Sequence, residues 1–498
     1  MKWNRGLVVI LYATFAAATS VAGGRQISGK RSNPSAACFE AQQQLGEAVV
    51  DTLPLNQTVV ELNWSQTCVQ EPYCIISPTD AQHVSEAIKI IKSHNVKFAT
   101  RSGGHSPNPG WSSIGKEGIL IDMSKFNQVS LSGDGQVASI GPGLRWGQVT
   151  SVLEQQGAAV VGGRLPDVGV GGLILGGGYH HVSGQYGLAA DNVHNFEIVL
   201  SDGSIKNANA QENEDLFWAL KGGGPNFGIV TRYDLKTIPV GAIWCQLNIY
   251  APGQALEVLD AFTEWQTNGA SDLKSTIGLI MGLDTVTVGL LYFEPADQPE
   301  AFRPFYDLEP LQVAIPPTNA TLSFLNEVLG GAFPFTPLRH DYRGISSRID
   351  GNTTKEVYQH WVERALAVRE STGASQIFGI QHVPSELAKQ GVAKGGNPLG
   401  IPEEDQLWWT TLVDWEDATQ DDVVRSVSIE TENYWLQLGE ERGLRIPFLY
   451  MNDASRDQNP IATYGAENVN RLKQIAKKYD PTEFFQKLQY GGFLLSKA

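Results

Sequence analysis

The chain reads as an α+β protein built from two large domains. Its 498 residues suffice for two sizeable cores. Before residue 240, glycine-rich loops punctuate short strand and helix patterns. After it the glycine clusters thin out and longer amphipathic stretches take over.

At the N-terminus, Lys2 and Arg5 precede an apolar run from 7 to 18, and Ser20-Val21-Ala22 offers a small-residue cleavage site. This pattern predicts a secretory signal over 1–22 and a secreted protein. The run is too short to span a bilayer, and no other stretch reaches the ~20 apolar residues a span requires. The formal charge of −16 argues against nucleic acid and anionic membranes as partners. From Gly23 to about Ala36 the chain is polar, and disorder is expected. Sequons at Asn56, Asn63, Asn319 and Asn352 support a secretory route. Cys38, Cys68 and Cys74 cluster, which allows one disulfide of open connectivity, and Cys245 stands apart. No second cysteine pair follows at zinc spacing, so no metal site is expected.

Apolar residues Val84, Ala87, Ile88 and Ile91 recur at helical spacing over 79–92, with Thr79 or Asp80 as N-cap. A short strand over 97–100 enters the first glycine loop. A strand over 118–123, a helix over 146–155, a hairpin turning at Ser201-Asp202-Gly203-Ser204 and a helix over 215–220 follow. Beyond residue 240, helices are expected over 256–265 and 357–369, and strands over 247–250, 285–292 and 407–415. Trp408, Trp409 and Trp415 are expected near a substrate pocket. The tail over 468–485 returns to a helix followed by Asp480-Pro481.

Two loops carry the chemistry: Arg101-Ser102-Gly103-Gly104-His105, and the run from Pro166 to Gly178 with Gly169, Gly171, Gly172, Gly176 and Gly177. Glycine permits close backbone approach, and consecutive N–H groups in such loops cradle phosphate. Two such loops suggest a dinucleotide. Neither they nor Gly141 and Gly143 fit G-x-G-x-x-G, and no P-loop, G-x-S-x-G or H-E-x-x-H motif occurs.

Together with Ile121-Asp122-Met123-Ser124, Gly141-Pro142-Gly143, Asn226-Phe227-Gly228-Ile229-Val230-Thr231 and Asp480-Pro481, these loops resemble FAD-linked oxidoreductases of the vanillyl-alcohol-oxidase type, in their berberine-bridge-enzyme-like branch and its fungal secreted form. The resemblance implies a two-subdomain PCMH-type FAD-binding domain over 70–240. It further implies a substrate domain with a large antiparallel sheet over 241–450, and a C-terminal segment over 451–498 that completes the FAD domain. It assigns FAD contacts to Arg101, Ser102, Gly103, Gly104, His105 and Ser106, to Pro166, Val168, Gly169, Gly171, Gly172, Gly176 and Gly177, and to Ile229. It further implies a covalent bond from His105 to the flavin 8α-methyl carbon. Members with two bonds carry a cysteine where this chain has Leu165, so a single bond is expected. Val168 occupies the oxygen-gating position and resembles oxidases there.

Relatives place a catalytic tyrosine in Tyr-x-Asn-Tyr, whereas this chain reads Tyr450-Met451-Asn452-Asp453. A carboxylate base used by some relatives falls on Trp408. Asp453 is therefore the candidate base, with Tyr450 and His181 as alternatives; of the adjacent His180 and His181, strand geometry lets at most one face the site. The resemblance implies a secreted, mono-covalent FAD oxidase of a small organic substrate, a specialised metabolite or a carbohydrate alcohol or amine. It would act by hydride transfer to flavin N5, with O₂ as acceptor and H₂O₂ as product, in a monomer. The alternatives are a dehydrogenase with another acceptor and a flavin carrier without efficient turnover.

Overall fold

Strong capping residues and buried β-branched runs set the first elements. The computed structural model describes residues 32–239, 241–333 and 336–498. The expected signal over 1–22, and the polar stretch as far as residue 31, lie outside the described residues. That stretch does not stay irregular to Ala36. The Asn33 side chain accepts from the Ala36 N–H and caps the helix Pro34–Leu45, with proline in its first turn. The helix buries only small residues, Ala37, Cys38 and Ala41, so its sequence lacks an obvious apolar stripe.

Strands β1 (Val50–Asp51), β2 (Cys74–Ile76), β3 (Lys97–Arg101) and β4 (Gly118–Asp122) form a sheet ordered β1-β2-β4-β3. The last three run parallel. Helix Ala81–His94 links β2 to β3; Asp80 caps it by accepting from the His83 N–H, and Asn95 ends it at φ 52°. A disulfide joins Cys38 to Cys74, and Cys68 and Cys245 are buried free thiols.

An antiparallel second sheet follows: β5 (Val129–Leu131), β6 (Val137–Ile140), β7 (Ala159–Val160), β8 (Val193–Val199), β9 (Ile205–Asn209) and β10 (Ile229–Ile238), ordered β5-β6-β10-β8-β9 with β7 on the end of β10. The third sheet has eight antiparallel strands: β11 (Ile243–Tyr250), β12 (Ser275–Met281), β13 (Val286–Tyr292), β14 (Gln312–Ala320), β15 (Arg339–Arg348), β16 (Ser375–Val383), β17 (Gln406–Trp415) and β18 (Arg445–Ile446). Alternation along β17 splits its side chains between faces. Trp409, Val413 and Trp415 enter a core shared with the helices Gly351–Thr372 and Asp421–Arg442, while Thr410, Leu412 and Asp414 line a cavity on the other face. The expected pocket tryptophans are thus core residues. Trp408 lies beneath Tyr450, ring centroids 4.6 Å apart, and does not line the cavity either.

The tail returns to the first sheet, where the Tyr490 N–H donates to the Phe98 carbonyl at 2.7 Å. Asn226 ties it down. Its amide donates to the Gly223 and Phe493 carbonyls, and its oxygen accepts from the Leu495 N–H and Gln486 Nε2. One sequon is internal: Asn63 is 1% exposed and bonded to Ser112 and Arg101. Asn56, Asn319 and Asn352 are exposed.

Candidate cofactor and substrate site

A cavity of about 820 Å³ lies between the glycine loops, the start of β10, the tail and the inner face of the third sheet. The loops touch backbone to backbone. A methyl group on Gly103 would sit 2.4 Å from Gly169 Cα, so neither position tolerates a side chain, whereas Gly172 faces open space. Ser102 pins the contact: its hydroxyl donates to the Pro142 carbonyl and accepts from the Gly171 N–H at 3.1 Å.

Of the residues expected to contact FAD, Ser102, Gly103, Gly104, His105, Ser106, Pro166, Val168, Gly169, Gly171, Gly172, Gly176 and Ile229 line the cavity. Two do not. Arg101 points away into a buried ion pair with Asp122 at 2.6 Å and donates to Asn63 Oδ1 and the Val59 carbonyl, so it holds the loop's root. Gly177, at φ 111°, shapes the turn behind the wall against Leu188 and Leu399.

His105 stacks on Trp64, centroids 4.3 Å apart, and Trp64 stacks in turn on His340 at 3.9 Å. The Trp64 N–H donates to the Gly104 carbonyl, and His340 Nδ1 lies 2.6 Å from Asp414 Oδ1. Burial, helped by the charge of Arg145 and by His340, lowers the His105 pKa to about 3. Its imidazole is therefore neutral, the form that has a lone pair for bonding to carbon. Leu165 lines the same cavity and supplies no thiol.

Tyr450, Asp453 and His181 also line the cavity. Tyr450 Oη accepts from the Tyr179 N–H at 2.7 Å and from Asn452 Nδ2 at 3.0 Å. Burial and the neighbouring Asp453 push this phenol well above its usual range. The Asp453 carboxylate accepts from Gln381 Nε2 at 2.7 Å. Burial raises its pKa against the opposing pull of Arg164 and Gln381, as suits a base working nearer neutrality. His180 and His181 sit in a loop, not a strand, so alternation does not decide between them. His180 is fixed locally: its N–H donates to Ser183 Oγ, and its ring accepts from the Val182 N–H. His181 Nε2 is buried without a protein partner and belongs to the cavity wall.

Residues that sequence reasoning missed, Trp64, Arg164, His340, Gln381 and Asp414, belong to no motif. Only the period-two pattern along 410–414 could have pointed to Asp414.

The walls fit a flavin dinucleotide. Gly172 lines the cavity with nothing against its Cβ position, which leaves bare backbone facing the space a phosphate bridge would take, and Thr100 Oγ1 and His181 Nε2 are buried polar atoms lacking protein partners. Residues 72–209 match a family model described as an FAD binding domain, and 449–489 one described as berberine and berberine like. An FAD-dependent monooxygenase of Arthrobotrys oligospora is 37% identical, over 93% of this chain and 90% of that protein. The bifunctional solanapyrone synthase of Alternaria solani is 33% identical, over 92% of this chain and 88% of that one. In fold, the chain is similar to 6-hydroxy-D-nicotine oxidase from Arthrobacter nicotinovorans, with a TM-score of 0.76 at 22% identity, covering 89% and 97% of the two chains. With the paired glycine loops, the antiparallel sheet over the cavity and the returning tail, the chain belongs to the berberine-bridge-enzyme-like family of FAD-linked oxidoreductases.

Proposed function

We propose that this protein is a secreted oxidase that binds FAD through one covalent bond at His105, oxidises an alcohol, amine or phenol of a small organic molecule, and passes the electrons to O₂ to give H₂O₂. The observation that supports it best is a single cavity walled by both a neutral histidine and a buried carboxylate, His105 and Asp453. Bound FAD supplies the two-electron acceptor. Ser102, Gly103, Gly104, Gly169 and Gly171 would hold it through backbone and hydroxyl contacts, and Trp64 keeps the His105 ring in one plane. Asp453 takes the proton that leaves the substrate hydroxyl or amine, and Gln381 holds the carboxylate in place. Tyr450 shapes the wall beside it, its hydroxyl fixed by two N–H donors.

The test combines chemistry and turnover. Acid-precipitated, protease-digested protein should yield a flavin peptide spanning 101–105, and His105→Ala should release its flavin to acid while still folding. A peroxide-coupled substrate screen should find turnover, with reoxidation in air slowed by Val168→Leu. Flavin on a cysteine would refute the single bond; slow reoxidation of the unaltered protein would favour a dehydrogenase.

A further inference from the structure

Arg164 is the cavity's unclaimed cation. Its guanidinium lies over the Tyr179 ring, 4.9 Å from the centroid, and Nη2 donates to Gln381 Oε1. The platform beneath it is rigid, because the Tyr179 N–H donates to Tyr450 Oη and its hydroxyl donates to the His382 carbonyl. Of the carboxylates that line the cavity, Asp167, Asp414 and Asp453, none pairs directly with the Arg164 guanidinium. Asp414 pairs with His340, and Asp453 takes the far end of the same Gln381 amide. Gln381 therefore stands between the guanidinium and Asp453, bonding one at each end. The remaining N–H donors of Arg164 have no carboxylate partner among the described residues, in a wall otherwise largely apolar.

Asp453 is the nearest opposite charge, yet it bonds Gln381 and not the guanidinium, and a planar guanidinium is best satisfied by two oxygens of one anion in direct contact. In a chain of net charge −16, such a cation placed inside the cavity is a local device rather than a general surface property. We propose that Arg164 anchors the substrate, and that the substrate carries a delocalised oxyanion, a carboxylate or an enolate, one amide's reach from the carbon that reacts beside Asp453. This rests on the reading of the cavity as the substrate site. The pairing predicts selection by charge, whereas hydrophobic filling alone would select by shape.

The experiment uses FAD-loaded enzyme and equilibrium dialysis, so that no probe has to be oxidised. Two pairs are compared, benzoate with benzamide and 1,3-cyclohexanedione with cyclohexanone, the first member of each being anionic at neutral pH. At least one anion should bind about ten- to a hundredfold more tightly than its neutral partner, the worth of a charge-assisted pair. The pair that responds separates carboxylate from enolate. Arg164→Gln should abolish the preference while FAD loading stays intact, Arg164→Lys should keep part of it, and added salt should weaken it. Equal binding of anion and neutral probes, absence of anion binding, or a preference surviving in Arg164→Gln overturns the proposal. So does loss of FAD in that variant, which would assign Arg164 to the cofactor. An anion preference without any peroxide-forming substrate would defeat the oxidase reading alone, and peroxide formation without an anion preference would defeat this one alone.

Discussion

Asp453 occupies an unusual place, because a short loop aspartate in Tyr450-Met451-Asn452-Asp453 would ordinarily be solvated. Here it lines the cavity and bonds Gln381. Asp453→Asn preserves the shape and can still accept from Gln381, yet it cannot take a proton. It should keep FAD loading and slow anaerobic flavin reduction by roughly 10²–10⁴-fold, the usual worth of a positioned acid–base group. In the unaltered enzyme the rate should climb as pH rises through a midpoint above 3.8, because burial favours the protonated acid and the base works only once ionised. Stopped-flow reduction across pH checks both. Near-normal reduction in the variant would move the role to Tyr450 or His181.

At the scale of elements, two side chains tie the glycine-rich segment before β10 to the returning tail: the Tyr464 hydroxyl donates to the Gly222 carbonyl, and Asn226 makes the larger set of bonds. Asn226, fully buried, meets two carbonyls and two N–H donors, and the Leu495 N–H and Phe493 carbonyl are among them. Asn226→Ala leaves buried polar groups unpaired, at about 1–3 kcal/mol each. Thermal unfolding should therefore begin several degrees lower, and limited proteolysis should attack the tail first. Because Gly224 and Gly491 to Phe493 line the cavity, FAD loading should weaken as well. An unchanged melting curve would mean that the tail is held chiefly by its apolar contacts.

For the whole molecule, buried neutral histidines set an acid limit. Burial lowers His180 to about 3, with Arg164 adding to the effect, and lowers His382 to about 4 against the pull of Asp405 and Glu386. Unfolding exposes both at an ordinary 6.5, so the unfolded chain binds more protons below that pH. The stability they confer is complete above 6.5 and is lost as pH falls towards 3–4. Melting temperature measured from pH 7 to 4 should fall steadily, and His382→Gln should flatten the slope. A melting temperature independent of pH in that window would contradict the burial argument.

The α+β class and the two glycine loops are legible in the sequence, and the family resemblance of those loops points to Ser102, Gly103, Gly104, His105, Ser106, Pro166, Val168, Gly169, Gly171, Gly172 and Gly176, which line the cavity. These are local matters of backbone freedom and short spacing, which neighbouring residues encode. The same reading misjudged Arg101, Gly177, the wall tryptophans and the start of the first helix. For Arg101 and the tryptophans a partner distant in the chain decides, Asp122 and Asn63 for Arg101 and helices beyond residue 350 for Trp409 and Trp415, whereas the helix start rests on the local Asn33 cap. Only the tertiary structure brought Trp64 onto His105 and set Gln381 between Arg164 and Asp453. Those groups lie up to 289 positions apart, and their meeting depends on long-range packing that no local pattern records.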